Sequence, residues 1–122
     1  MVTATHIRGV FERYVALVTR GDFEAIALLY AEDATVEDPV GSEPHRGREA
    51  IREFYRRSAG AVRLELEGRV RVAGREGAAA MIARPNADPR TVVDTLDVMT
   101  FDEAGQIVAM RAYWSPDTIH RE

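Results

Sequence analysis

The first half of the chain places apolar residues at three- and four-residue steps, a spacing typical of helices with one buried face. One such stripe runs through residues 7–18, and Thr3 or Thr5 is suited to cap its start. The segment DFEAIALLY, beginning at Asp22, predicts a second, short helix. A third helix is predicted over residues 47–59, where GREAIREFYRRSA repeats the helical spacing.

The second half changes to a period of two, which predicts strands. Apolar and charged residues alternate through residues 62–72, and a glycine-containing turn follows at residues 74–77. The segments AAAMIAR, TVVDTLDVMTF and QIVAMRAYW are expected as three further strands, separated by turn-forming residues. Helices followed by antiparallel strands predict an α+β fold, in which three N-terminal helices pack on a curved antiparallel sheet.

The strand predicted at residues 91–101 is mostly apolar on both faces. Its apolar residues are Val93, Met99 and Phe101 on one face and Val92, Leu96 and Val98 on the other. An antiparallel sheet that packs helices on one side usually carries polar residues on the other. We therefore expect a second copy of the chain to cover the outer face, as a homodimer.

Composition narrows the function classes. A length of 122 residues fits one domain, residues 1–122, and the net charge of −4 favours neither nucleic acid nor an anionic membrane as a partner. The absence of cysteine excludes a thiol nucleophile and a thiolate metal site, and the three histidines lack metal-ligand spacing. No signal sequence and no apolar run of about 18 residues is present, so we expect a cytoplasmic protein without a membrane span.

Three polar residues stand out because they lie in apolar surroundings or beside a proline. Tyr14 interrupts the apolar stripe of the first helix, Asp97 shares a strand face with apolar residues, and Asp38 precedes a proline. Taken singly, Tyr14 could be a core tyrosine bonded to a carbonyl, and Asp97 could pair with Arg111. Asp38 could be an ordinary loop carboxylate. The neighbouring Glu37 is expected to point the other way, because successive side chains of an extended segment alternate in direction.

Taken together, these residues predict acid–base chemistry. A buried aspartate without a cation is pushed toward its neutral form, which can donate a hydrogen bond. The neutral hydroxyl of Tyr14 is a second donor, and the two could stabilise an enolate oxygen while Asp38 moves a proton. This chemistry requires no cofactor and no metal.

Three segments carry a family resemblance. YAEDATVEDPVGSEPHRGREAIREFY, RYVALV and LDVMTFDEAGQIVAMRAYW closely resemble the corresponding stretches of bacterial 3-ketosteroid Δ5-isomerases, in the same order and over almost the whole chain. The resemblance implies the cone-shaped α+β fold of nuclear transport factor 2, a homodimer and a steroid substrate.

The resemblance also implies roles for the three polar residues. Asp38, in VEDPVG, matches the general base that moves a proton from C4 to C6 of a 3-oxo-Δ5-steroid. Tyr14 matches the tyrosine that donates to the dienolate oxygen, and Asp97 matches the neutral acid beside it. The neutral carboxylic acid is a known property of this family and not a result of this sequence.

The same three segments imply further residues near the site, which would support the three polar residues. Tyr55 and Tyr30 match two tyrosines that form a hydrogen-bond chain behind the catalytic tyrosine in some members, and Trp114 matches a tryptophan near the base. The strand methionines suit an adaptable apolar pocket wall and could equally be plain core. They are Met81, Met99 and Met110.

Two other functions stay open at this point, and one region departs from the family. A cyclase or epoxide hydrolase of the same fold could use Asp94, Asp97 and Arg111, although Asp94 and Asp97 face opposite sides of a regular strand. A non-catalytic binding module is the alternative from another class. The polar loop around residues 85–90 replaces a longer, more apolar hairpin, which leaves the depth of the pocket and the preferred steroid open.

Overall fold

The first helix forms where the apolar stripe predicts it. The computed structural model describes residues 1–122, and helix α1 spans Ala4–Arg20. The side chain of Thr3 accepts a hydrogen bond from the amide of His6 and caps the start. Gly21 ends the helix in the left-handed region at φ 81°, where glycine is favoured.

The second helix is shorter than predicted, and the third agrees with its prediction. Helix α2 spans Phe23–Ala27, capped by Asp22, and helix α3 spans Arg48–Ser58. The end of DFEAIALLY does not continue the helix, because Tyr30 begins strand β1 (Tyr30–Glu37). Pairing with a distant strand overrides the local helical preference there.

Eight strands form one sheet. Besides β1, they are β2 (His45–Arg46), β3 (Val62–Leu66), β4 (Arg71–Ala73), β5 (Glu76–Pro85), β6 (Thr91–Phe101), β7 (Ile107–Tyr113) and β8 (Ile119–Arg121). The main order is β2-β1-β7-β6-β5-β3, while β4 pairs with β5 and β8 pairs with β6. A short 3₁₀ helix, Pro116–Thr118, connects β7 to β8.

The sheet is mixed, which corrects the prediction of an antiparallel sheet. Strand β1 pairs with β7 in parallel, and every other strand pair is antiparallel. A parallel pair needs a long connection between its two strands. Here the connection is α3 and the strands β2 to β6, which return the chain to the edge of β1. The α+β fold with three helices on a curved sheet is otherwise confirmed.

The core lies between the helices and the concave face of the sheet. It is one cluster of 22 buried residues to which all three helices contribute. Helix α1 approaches β5 closely at Gly77, where an added Cβ would lie 2.7 Å from side-chain carbons of Ile7 and Phe11. A glycine at this position therefore permits the close packing of helix on sheet.

The convex face is partly apolar and open. Leu96 of β6 and Tyr113 of β7 are cross-strand neighbours, and they are 42% and 41% exposed. Arg111 lies beside them and donates to the hydroxyl of Tyr113. None of the three α-helices combines the length and apolar content that a membrane crossing needs.

Candidate active site

A cavity of about 310 Å³ opens between α1, α3 and the concave face of the sheet. This volume is at the lower end of the range for small-molecule sites. Ten of its fourteen lining residues are hydrophobic. The lining residues with polar or ring N–H groups are Tyr14, Asp38, Tyr55, Ser58, Thr95, Asp97 and Trp114.

Asp97 lies in the floor of this cavity without a cation. The residue is 3% exposed, and the hydroxyl of Thr95 donates to its Oδ1 at 3.1 Å. Arg111 does not reach it, because Arg111 pairs with Glu37 on the other side of the sheet. Burial raises the pKa of Asp97 to about 7, the negative charge of Asp38 adds to the rise, and the Thr95 hydrogen bond opposes it.

Asp38 lies at the rim of the same cavity, directly after β1. It is half-buried, and the indole Nε1 of Trp114 donates to its Oδ1 at 2.7 Å. Burial raises the pKa of Asp38 above its ordinary value, while the Trp114 hydrogen bond and the charge of His45 lower it. The neighbouring Glu37 is directed away and accepts from the amide of Gly41.

Tyr14 ends a chain of three buried hydroxyl groups. The hydroxyl oxygen of Tyr30 lies 2.7 Å from that of Tyr55, which lies 3.0 Å from that of Tyr14. Each hydroxyl has one hydrogen to donate. If Tyr30 donates to Tyr55 and Tyr55 donates to Tyr14, the hydrogen of Tyr14 is left for a group in the cavity. Burial raises the pKa of all three hydroxyls well above the usual range, so they stay neutral.

Three separate parts of the chain position these groups. Tyr14 comes from the middle of α1, Asp38 from the turn after β1, and Asp97 from the centre of β6. The cross-strand neighbours of Asp97 are Ala79 and Ala112, and the small side chain of Ala112 lines the cavity beside the carboxyl group. The arrangement places a phenol hydroxyl, a buried carboxyl group with a raised pKa and a second carboxyl group at the rim around one apolar cavity.

The strand methionines do not line this cavity, which corrects the expectation of an adaptable methionine wall. Met81, Met99 and Met110 are fully buried and belong to the core cluster. Met99 and Met110 are cross-strand partners, two residues from Asp97 and Ala112 on the same sheet face. Side chains at those positions are covered by core residues and not by the cavity, so the plain-core alternative holds.

Two polar cavity residues were not singled out from the sequence. Thr95 shares the strand face of Asp97, and this alternation was a usable signal because residues two apart point the same way. Ser58 lies at the end of α3 and donates to the carbonyl of Phe54. Nothing in the local sequence distinguishes Ser58 from a surface serine.

The residue set expected for an epoxide hydrolase is not gathered in the cavity. Asp94 lies on the convex face and its Oδ2 is 3.1 Å from Nε2 of His120. Arg111 pairs with Glu37, so only Asp97 of the three candidates faces the cavity. No group of three or more His, Asp or Glu side chains is arranged to hold a metal ion.

Comparisons with known proteins agree with this architecture. Residues 11–110 match the SnoaL-like domain. The chain is 46% identical over 114 residues to a Steroid Delta-isomerase of Nocardioides simplex, covering 93% of each protein. Among solved structures it is similar to SalBIII, an epoxide hydrolase/cyclase-like enzyme with a role in pyran ring formation in the polyether salinomycin. That likeness has a TM-score of 0.84 and 30% identity, covering 93% of this chain and 94% of the other.

Proposed function

This chain belongs to the SnoaL-like domain family, and from that premise we propose that it is a steroid Δ-isomerase that converts 3-oxo-Δ5-steroids to 3-oxo-Δ4-steroids. The observation that carries the proposal is Asp97, which is buried without a cation in the same apolar cavity as Tyr14 and Asp38. A plain binding site for an apolar ligand gains nothing from a buried acid that lacks a cation to pair with. The 46% identity to a steroid isomerase over most of both chains supports the same activity.

In this mechanism Asp38 is the proton carrier. Its carboxylate takes a proton from C4 of the bound steroid, and the electrons of the broken C–H bond form the dienolate, whose charge lies on the 3-oxygen. Asp38 then returns the same proton to C6, and the electrons move back to restore the carbonyl. Atoms and electrons balance within the substrate, so no co-reactant is consumed.

Tyr14 and Asp97 stabilise the dienolate in this proposal. Each donates one hydrogen bond to the 3-oxygen, where negative charge develops in the transition state. The loss of one such donor typically raises the barrier by about 3 kcal/mol. The donors act in an apolar cavity with little competing water, which strengthens electrostatic interactions.

The environment of Asp38 suits a base that must be ionised before each turnover. The Trp114 hydrogen bond stabilises the carboxylate form, while partial burial keeps its proton affinity above that of a solvated aspartate. Asp97 has no equivalent N–H donor on its carboxyl group. The two aspartates therefore have opposite roles in the proposal, one ionised and one neutral.

The direct test is an ultraviolet assay with androst-5-ene-3,17-dione. Formation of the conjugated enone gives a rise in absorbance, which the wild-type protein is expected to accelerate. Equilenin, whose phenol mimics the dienolate, is expected to bind and inhibit competitively. If several 3-oxo-Δ5-steroids are left unchanged while equilenin binds, the cavity is a binding site and the catalytic assignment fails.

We also propose that the protein acts as a homodimer through the convex face of the sheet. Leu96 and Tyr113 form an exposed apolar pair there, on the side opposite the cavity. Covering this pair removes apolar surface from water, which favours association. A cytoplasmic location remains a prediction from the sequence.

A further inference from the structure

We propose that Thr95 is a positioning residue that holds the acidic proton of Asp97 on Oδ2, the oxygen that borders the cavity. The proposal rests on the steroid isomerase function, because it concerns how the neutral acid is aimed at the substrate oxygen. It assigns a role to a residue two positions before Asp97 on the same strand.

The role of Thr95 starts from its hydrogen bond to Asp97. Residues two apart on a strand point to the same face, so Thr95 and Asp97 of β6 both face the cavity. The Thr95 hydroxyl lies 3.1 Å from Oδ1 of Asp97 and donates to it. The cross-strand neighbours Ala79 and Ala112 offer no side-chain donor or acceptor. Thr95 is therefore the only side chain hydrogen-bonded to Asp97.

A neutral carboxyl group has two unlike oxygens, one that accepts and one that carries the hydrogen. A donor held on Oδ1 favours the form in which Oδ1 is the carbonyl oxygen and Oδ2 bears the proton. Oδ2 has no hydrogen-bond partner in the protein and is not closed off from the cavity. The proton is therefore held on the oxygen that can reach a substrate.

The stiffness of threonine supports this role. Its branched Cβ restricts χ1, so the hydroxyl is held in place at little entropic cost. Without the hydroxyl, either oxygen of Asp97 could carry the proton, and a share of the molecules would present an acceptor to the dienolate. Such molecules would repel the developing negative charge.

The same hydrogen bond has a second, opposite effect. A donor to a carboxylate also stabilises the ionised form, so Thr95 lowers the pKa of Asp97 against the larger effect of burial. Removing the hydroxyl therefore slows the reaction at neutral pH and yet extends activity to higher pH. A residue with a merely structural role would not move the basic limb of the pH profile upward.

The basic limb of the pH–activity profile can be assigned to Asp97, because the other titratable groups that face it do not lose activity in the same pH range. Tyr14 approaches from α1 and Asp38 from the end of β1, while Tyr55 of α3 and Tyr30 lie behind Tyr14. Burial raises the pKa of all three tyrosines well above 10, and Asp38 must be ionised for activity. Loss of activity near neutral and mildly alkaline pH therefore reports Asp97.

The test compares Thr95→Val, which keeps the shape and removes the hydroxyl, with Thr95→Ser, which keeps the hydroxyl. We expect Thr95→Val to lower kcat roughly 5-fold at pH 6 and to move the basic limb of kcat/KM upward by about one pH unit. Thr95→Ser should restore both values toward the wild type. If Thr95→Val is poorly folded, Thr95→Ala deletes the same hydroxyl and is expected to give the same two changes.

A second measurement does not depend on turnover. The carboxyl carbon of Asp97, labelled with ¹³C and assigned through Asp97→Asn, is titrated by NMR in the wild type and in Thr95→Val. A higher midpoint in Thr95→Val supports the proposal, and an unchanged or lower midpoint overturns it. A wild type that is inactive on 3-oxo-Δ5-steroids would refute the proposed function, whereas this titration would still decide the link between Thr95 and Asp97.

Discussion

Nε1 of Trp114 lies 2.7 Å from Oδ1 of Asp38, although 76 residues separate them in the chain. Each residue directly follows one strand of the parallel pair β1 and β7, and the register of that pair places Glu37 beside Arg111. Parallel neighbours end at the same edge of a sheet. The mixed topology therefore brings the proposed base and its hydrogen-bond donor together.

Replacing Trp114 by phenylalanine should lower activity on the acidic side of the pH profile, because a smaller fraction of Asp38 is then ionised there. The hydrogen bond stabilises the carboxylate, so its loss raises the pKa of Asp38. We expect the acidic limb of kcat/KM to move upward by roughly one pH unit. Tyr113→Phe, one residue earlier and directed at the exposed face, is the matched control and should leave that limb in place. An unmoved acidic limb in Trp114→Phe would contradict the role given to the indole.

Asp38→Asn should abolish most of the isomerase activity while leaving the fold and equilenin binding intact. A positioned general base typically contributes 10²- to 10⁴-fold, so we expect kcat to fall by about three orders of magnitude. Glu37→Gln is the control, because its amide oxygen can still accept from Gly41 and its side chain lies outside the cavity. Equal losses of kcat in the two variants would mean that activity depends on the conformation of the turn and not on the carboxylate of Asp38.

The spacing of apolar residues predicted most helices and strands, because each of these elements buries one face and the spacing follows from that burial. Helix α3 was predicted over residues 47–59 and spans Arg48–Ser58, and β6 was predicted with its observed bounds. Strand β1 was missed. Its hydrogen-bonded neighbour β7 lies some 70 residues away, and a single sequence carries no signal for that pairing.

The residue types of the site were predictable, but their connections were not. Tyr14, Asp38 and Asp97 stood out because polar groups in apolar segments need an explanation, and the family resemblance supplied one. The methionines were wrongly expected in the cavity wall. Alternation predicts which face of the sheet a side chain occupies, but not whether the cavity or the core covers that part of the face. Whether Asp97 meets Arg111 depends on the register between β6 and β7, which pairs Asp97 with Ala112 and places Arg111 on the opposite face, beside Glu37.

The tyrosine chain predicts graded effects on the barrier. Tyr14→Phe removes a proposed donor to the dienolate and should lower kcat by about 10²- to 10³-fold. Tyr55→Phe removes the hydroxyl between Tyr30 and Tyr14, and should lower kcat by only about 10-fold because Tyr14 keeps its own hydrogen. Steady-state rates and equilenin dissociation constants of both variants measure the difference. A larger loss for Tyr55→Phe than for Tyr14→Phe would contradict the proposal that Tyr14, and not Tyr55, donates to the dienolate.

The dimer proposal predicts a difference between two exposed leucines. Leu96→Glu places a charge in the apolar pair with Tyr113 on the convex face, where it would be buried unpaired in a dimer. Leu28→Glu is the control, because Leu28 is 68% exposed beside α2, away from the convex face. By analytical ultracentrifugation we expect the wild type and Leu28→Glu to sediment as dimers and Leu96→Glu to sediment as a monomer. A monomeric wild type would refute the dimer directly.

The raised pKa of Asp97 predicts a specific dependence of stability on pH. The folded protein holds a proton on Asp97 up to pH about 7, whereas the unfolded chain releases it near 3.8, so folding becomes less favourable as pH rises between these values. The interval corresponds to roughly 4 kcal/mol at most. Asp97→Asn is neutral at every pH and should match the wild type near pH 4. Above pH 7 it should exceed the wild type in free energy of unfolding.

Urea unfolding at fixed protein concentration measures this difference between pH 4 and pH 8. Fixed concentration is required because dimer formation would itself shift the apparent stability. Asp94→Asn, on the same strand but on the exposed face beside His120, is the control and should track the wild type within about 1 kcal/mol. A gap between Asp97→Asn and the wild type that does not widen with pH would mean that Asp97 is already ionised in the folded protein. An ionised Asp97 cannot donate to the dienolate, so this result would remove it from the proposed mechanism and leave Tyr14 as the only donor.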